Sequence, residues 1–355
     1  DIMKNYFESL AHKYNMPLEN IVAIALNRYG VISDELSDKR IRFLLNFNNS
    51  EHNKFFALGV NTYLQSPFKL DKDTIFLEDK SIGKIISLEQ DTCTSTYFRN
   101  NKKAITFNSN SRSTCVGCKF CGTYNLTDDD HIDFSTQDKI VNYFERLLDE
   151  NDISAMNQIE SITICTGCFE SEDELINHLL LVNDAFKKMG YIGSLNYIGS
   201  QLRDFEKIKR LSERIQDLGI YLTIEKFLDR NKYMRPEKAS LTLDDAKKLL
   251  EYCSSLNITT TFLYILGLEP LEIIRYYFDY FKDSINKFPI IQVFQNYTLD
   301  QEKYRCDEGK EIEYYIKARE EISKIFANKD FVPKEWECYR SLYFDVNNQE
   351  RKLVK

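Results

Sequence analysis

Glycine and proline are scarce in this chain, 12 and 6 among 355 residues, and no stretch is rich in glycine and serine or in proline. That scarcity argues against flexible linkers, and no repeat is visible that would mark a stacked or propeller architecture. Long hydrophobic runs are missing too. The longest apolar-leaning stretch, 258–274, is interrupted by Thr259, Thr260, Thr261, Glu269 and Glu272, so it does not read as a membrane span. The first residues lack the basic flank and apolar run of a secretory signal, and the expected address is cytoplasmic. Excess positive charge is absent: 47 Lys and Arg stand against 55 Asp and Glu, a net charge of −8. Neither nucleic acid nor a membrane is expected as a partner. The 22 Tyr and 24 Phe are not interleaved with basic residues as a base-stacking platform would require, and read as core. Histidine is rare, and His12, His52, His131 and His178 have no motif around them.

The chain does contain an apolar fraction of 43%, enough for a packed core, and nine cysteines. An odd number without an export signal is a poor disulfide framework. Cys115, Cys118 and Cys121 fall within seven residues, which points to metal; Cys93, Cys165, Cys168, Cys253, Cys306 and Cys338 are the others. Cys253 lies in a helical pattern and reads as a small core residue. Cys165 and Cys168 form a second Cys-x-x-Cys, for which a redox or ligand role competes with burial in a strand and a turn.

The pattern divides the chain into an N-terminal extension over 1–100, a core over 101–310 and a closing segment over 311–355. Residues 1–14 and 18–29 have helical periodicity, with Pro17 suited to the first turn of the second helix and Gly30 to its end. The extension reads as mainly helical, followed by irregular or hairpin-like pieces. From Ala104 onward short β-rich runs (104–108, 161–165, 193–198, 219–224, 258–265, 290–294) alternate with helical stretches (136–149, 172–189, 205–218, 243–256, 271–287, 311–327). Six strand-then-helix units predict a parallel sheet with right-handed crossovers. The fold class is therefore α/β, a partial (β/α)6 TIM-type barrel with an N-terminal helical extension and a C-terminal closing segment. A doubly wound sheet would place a glycine-rich phosphate turn after the first strand, where this chain has its cysteines.

Three thiolates at 115, 118 and 121 can converge on one soft-metal centre. A closed zinc site takes four ligands, and His131 stands ten residues beyond Cys121. A four-iron cluster also normally takes four, so three leave one iron open. The segment Cys115-Val-Gly-Cys118-Lys-Phe120-Cys121, placed after the first strand, resembles the cluster loop of the radical S-adenosylmethionine (radical SAM) superfamily. The family's usual pattern has three residues between the first two cysteines where this chain has two, which also admits Cys93 as a participant.

The resemblance spans roughly 104–305. It implies a 4Fe–4S cluster on Cys115, Cys118 and Cys121, with S-adenosylmethionine on the open iron and Phe120 beside the adenine. Thr166, Gly167 and Cys168 stand where the family receives the methionine amino group, with the acid displaced to Glu170. Glu225 at the end of the fourth strand implies a ribose contact, and Arg235 or Lys238 a carboxylate contact. Gly267 ends an apolar strand that would pack on adenine. Ser200, Gln201, Gln295 and Tyr297 occupy the same rim as candidate contacts. The implied activity is reductive cleavage of S-adenosylmethionine to a 5′-deoxyadenosyl radical, which abstracts hydrogen from substrate in an apolar barrel interior. The electron would come from a reductant protein such as flavodoxin or ferredoxin. A small-molecule substrate is the leading expectation, since no cobalamin signature and no basic domain is present. A peptide-modifying enzyme and a non-catalytic cysteine-rich metal-binding or electron-carrying protein are the alternatives. Substrate specificity would be written in the extension and in the closing segment, with Trp336 and Tyr339.

Overall fold

The computed structural model describes residues 1–37, 40–91, 96–110, 118–121, 132–337 and 340–344. Helices α1 (Ile2–Lys13) and α2 (Leu18–Tyr29) open the chain, as their periodicity requires. Gly30 ends α2 at φ +65°, where a β-carbon would come 2.5 Å from the Gly59 carbonyl oxygen, so only glycine fits.

The rest of the extension corrects the expectation of a mainly helical region. Five strands follow: β1 (Arg40–Phe47), β2 (Asn53–Gly59), β3 (Phe68–Asp71), β4 (Thr74–Leu77) and β5 (Lys80–Gln90). They form an antiparallel sheet in the order β2-β1-β5-β4-β3. The turns were hard to read because they do without glycine. Asn49, Lys72 and Glu78 take left-handed φ of 62°, 55° and 54° at the hairpin corners, where Asn-Gly or Gly-X would ordinarily announce a hairpin. Phe7 of α1 stacks on Phe68 with ring centroids 6.4 Å apart, joining helix layer to sheet.

A second sheet is the α/β half-barrel. Strand β6 (Tyr97–Arg99) pairs antiparallel with β7 (Ala104–Asn110) at one edge. Then follow β8 (Ser161–Thr166), β9 (Ser194–Gly199), β10 (Leu218–Glu225), β11 (Thr259–Leu266) and β12 (Ile290–Val293). The order is β12-β11-β10-β9-β8-β7-β6, with every pairing from β7 to β12 parallel. All six strands expected from sequence are present, and β6 adds a seventh. The crossover helices are α3 (Gln137–Glu150) after β7, α4 (Glu172–Lys188) after β8 and α5 (Phe205–Arg214) after β9. Two short helices, α6 (Arg230–Tyr233) and α7 (Pro236–Ala239), precede α8 (Leu243–Ser255) after β10; α9 (Leu271–Phe281) follows β11 and α10 (Ile312–Ile325) follows β12. The sequence announces four of these starts. The side chains of Thr136, Ser171, Asp204 and Thr242 accept a hydrogen bond from the backbone N–H three residues on. Helices α5 and α9 stop short of the expected 218 and 287.

Between strand and helix layers the core is aromatic. Phe107 of β7 meets Phe134 and Phe144 edge-on, each at 4.9 Å between centroids, and Phe144 meets Phe186 of α4 at 4.8 Å. Such edge-to-face pairs favour one crossing of helix over sheet beyond the area they bury. Cys253 is fully buried in α8, as expected.

The half-barrel's open side is covered by the extension and the chain's end. Ser341 bridges Gln292 of β12, and Phe344 stacks on Phe56 of β2 at 5.3 Å. On the other edge, Phe55 of β2 stacks on Tyr97 of β6 at 5.9 Å. Both terminal regions thus pack beside the half-barrel's edges. No helix among the described residues is long and apolar enough to cross a membrane.

Candidate functional site

A cavity runs along the inner face of the half-barrel, lined by residues of β6 through β12, by the segments after them and by the covering elements. Cys118, Phe120, Cys121, Thr166, Gly167, Cys168, Ser200, Glu225, Arg235 and Lys238 all line it. Cys115, Cys93, His131, Cys338 and Tyr339 lie outside the described residues.

Residues 118–121 are held at the rim by two clamps. The Lys119 N–H donates to the Tyr233 carbonyl at 2.8 Å, and the Arg235 N–H donates to Cys118 Sγ at 3.4 Å. From the other side Gln301 Nε2 donates to the carbonyls of Lys119 (2.9 Å) and Cys121 (3.4 Å). Gln301 was missed by sequence reasoning, yet it has a signature: Thr298-x-x-Gln301 is a capping box that fixes its backbone. Phe120, 3% exposed, packs in an apolar patch with Tyr221, Leu263 and Ile265.

Beyond β8, Thr166 to Phe169 form the next part of the rim. Gln201 holds this loop at both polar ends of Phe169, accepting from its N–H at 2.9 Å and donating to its carbonyl at 2.8 Å. Cys165 faces the cavity rather than the core, so the reading of it as a buried strand residue is corrected. Arg235 ties the two cysteine pairs together, its N–H on Cys118 and its Nη1 on Cys168 Sγ at 2.9 Å.

Glu225 ends β10 in a left-handed conformation, φ +65°, at a register shift against β11. A non-glycine residue there carries backbone strain that its surroundings must impose. Buried Arg230 does so, donating through Nη1 to the carbonyls of Ile224 (2.5 Å) and Lys226 (2.6 Å) on either side. The bulge turns the carboxylate to the cavity, where Lys238 Nζ meets Glu225 Oε2 at 2.8 Å. Burial alone would lower the Lys238 pKa, but Glu225 and the Cys118 thiol hold it above the ordinary lysine value. Burial pushes the Cys118 thiol up to about 11, against the pull of Lys238.

Three expected contacts are not on the cavity. Gly267 faces Phe294, Tyr315 and Arg305 instead, at φ +129°. Gln295, 1% exposed, donates to the Asn27 carbonyl at 3.2 Å and so braces α2. Glu170 is exposed. Each lies past the end of its strand (Leu266, Val293 and Thr166), where the chain has already turned away from the rim. The apolar interior is also corrected. Leu263, Ile265 and Ile290 give one apolar wall, but Arg40, Asp91, Arg99, Gln292, Glu337 and Arg340 line the same space. Arg40, Asp91, Glu337 and Arg340 come from the covering elements and Arg99 from the edge strand β6, none of which carries a motif.

Next to the rim, His178 of α4 lies 2.7 Å from Ser109 Oγ, and burial lowers its pKa to about 4 from 6.5. Below pH 6.5 the unfolded chain takes up a proton that the folded chain refuses until about pH 4. Stability should therefore fall as pH falls through that window, by up to about 3 kcal/mol. Denaturant titrations at pH 7 and pH 4.5 should show this loss, and His178→Gln should remove most of the difference.

No protein-family model matches the chain, and no curated protein matches it.

Proposed function

We propose that this protein is a radical SAM enzyme acting on a small molecule. The observation that carries the reading is the position of Cys118 and Cys121: both sit on the rim of a cavity enclosed by a half-barrel, at the carboxyl side of its first parallel strand. The donor chemistry fits an iron–sulfur cluster. Two soft thiols line the rim, Cys115 is three residues upstream, and Lys238 and the Arg235 N–H stand by to offset negative sulfur. Cys115, Cys118 and Cys121 would hold a 4Fe–4S cluster, and S-adenosylmethionine would occupy the rim between them and Glu225. When bound, the pair supplies one-electron cleavage of the sulfonium and abstraction of a hydrogen atom from a substrate carbon.

The chain's own residues bind, orient and exclude water. Lys238 provides a positive charge suited to a carboxylate, and Glu225 an acceptor suited to ribose hydroxyls. Phe120, Leu263 and Ile265 provide an apolar surface suited to adenine, and Gln201 fixes the Thr166–Phe169 loop. The covering elements shield the chamber from solvent, which suits a small substrate better than a peptide threaded through an open edge. A reductant protein such as flavodoxin or ferredoxin would deliver the electron, and a reducing cytoplasm suits the cluster.

Anaerobic reconstitution should load about four irons and as many sulfides per chain. S-adenosylmethionine should then change the electron paramagnetic resonance spectrum of the reduced protein. A single bound zinc with no response to S-adenosylmethionine would instead support a structural metal knot.

A further inference from the structure

Away from the cysteine rim, the covering wall and the edge strand β6 beside it concentrate arginine. Arg40 begins β1, Arg99 ends β6 and Arg340 lies in the closing segment beside β12, so three distant parts of the chain deliver guanidinium groups to one cavity. They are 5%, 6% and 6% exposed. Three guanidinium groups buried around one chamber, with Asp91 and Glu337 beside them, carry a desolvation cost that apolar packing of the open side would avoid.

The side chains are also oriented. Arg40 Nε meets Asp91 at 2.6 Å, and Asp91 is shared with Arg42 behind the wall at 2.8 Å. Arg340 Nη2 donates to Gln292 Oε1 at 2.6 Å. The Arg40 and Arg340 guanidiniums lie 5.0 and 5.7 Å from the ring centre of Tyr297, and that of Arg99 lies 4.3 Å from the ring centre of Phe55. A guanidinium has five N–H donors in one plane, so a group held along one edge can present another to a ligand. Glu337, the other acid of this wall, is bound by Lys287 at 2.5 Å.

We propose that this wall is the anchor of the substrate, and that the substrate is a small metabolite bearing an oxyanion, a carboxylate or a phosphate. Fork-shaped donors from Arg40, Arg99 and Arg340 match such a group, and the rest of the molecule extends along the chamber toward the cysteine rim. The inference rests on the reading of this cavity as the substrate chamber, and it adds the substrate's class.

The chain's one tryptophan, Trp336, lines this wall, so its fluorescence reports on occupancy. Reconstituted protein, saturated with S-adenosylmethionine to fill the rim, is titrated with inorganic phosphate, glutarate and the neutral glutaramide. At least one anion should change the fluorescence saturably and glutaramide should not; which anion binds tells phosphate from carboxylate. Arg340→Gln and Arg99→Gln should each raise the dissociation constant at least about tenfold, Arg340→Lys less, and exposed Arg210→Gln not at all. Equal binding of glutaramide, no binding of either anion by the wild type, or binding indifferent to both glutamine variants would overturn the inference. The wild-type comparison decides even if a variant fails to fold. Protein that forms 5′-deoxyadenosine but ignores both anions overturns this inference alone. Anion binding at the wall without any cleavage of S-adenosylmethionine overturns only the proposed radical chemistry.

Discussion

Cys118→Ala should reduce iron retained after reconstitution from about four per chain to a trace, and should lower 5′-deoxyadenosine formation at least about a thousandfold. Two ligands cannot hold a four-iron cluster in place of three. The loss should not come from unfolding. Cys118 contributes one sulfur acceptor for the Arg235 N–H and little volume, so removing it should cost about 1 kcal/mol of stability. Cys253→Ala is the matching control. It removes a fully buried thiol from the α8 core, so it should cost a similar or larger amount of stability and leave iron content unchanged. Iron assays and thermal unfolding of the two variants separate ligation from packing. The raised Cys118 pKa adds a direction: a thiol must lose its proton to bind metal, so iron uptake should improve from pH 7 to pH 9.

Lys238→Met should weaken S-adenosylmethionine binding by about ten- to a hundredfold while leaving the iron in place. The ammonium is the cation bonded to Glu225 and set beside Cys118. Methionine keeps most of the side chain's length but removes the charge available to a ligand carboxylate, a contact worth about 1.5–3 kcal/mol. It also leaves Glu225 without its 2.8 Å partner. Glu225→Gln should weaken binding too, and the double variant should lose less than the two single losses combined, because the pair acts as a unit. Equilibrium dialysis on reconstituted protein measures all three.

How legible this was depended on where each residue sat. The half-barrel could be read because each crossover unit signals itself: β-branched strand, polar cap, amphipathic helix. Thr136, Ser171, Asp204 and Thr242 are caps visible in the bare sequence. The rim could be read at Cys118, Cys121, Thr166 and Glu225 because strand ends place short segments on one side of a parallel sheet. The N-terminal sheet could not, since its corners use Asn49, Lys72 and Glu78 where a glycine would have marked a turn. Arg40, Arg99 and Arg340 were illegible for another reason. Nothing local distinguishes a buried arginine from a surface one, and only the folded chain brings residues 59 to 300 positions apart into one wall. Gly267 and Gln295 show the reverse error, in which a matching position in the chain stood for a position in space.

The most direct test of the account is whether anaerobically reconstituted wild-type protein, reduced in the presence of S-adenosylmethionine, releases 5′-deoxyadenosine. The account predicts release that continues beyond one equivalent per chain over time and disappears with Cys118→Ala. Protein with a full cluster that binds S-adenosylmethionine and never cleaves it, or that holds one tight zinc instead, would contradict it.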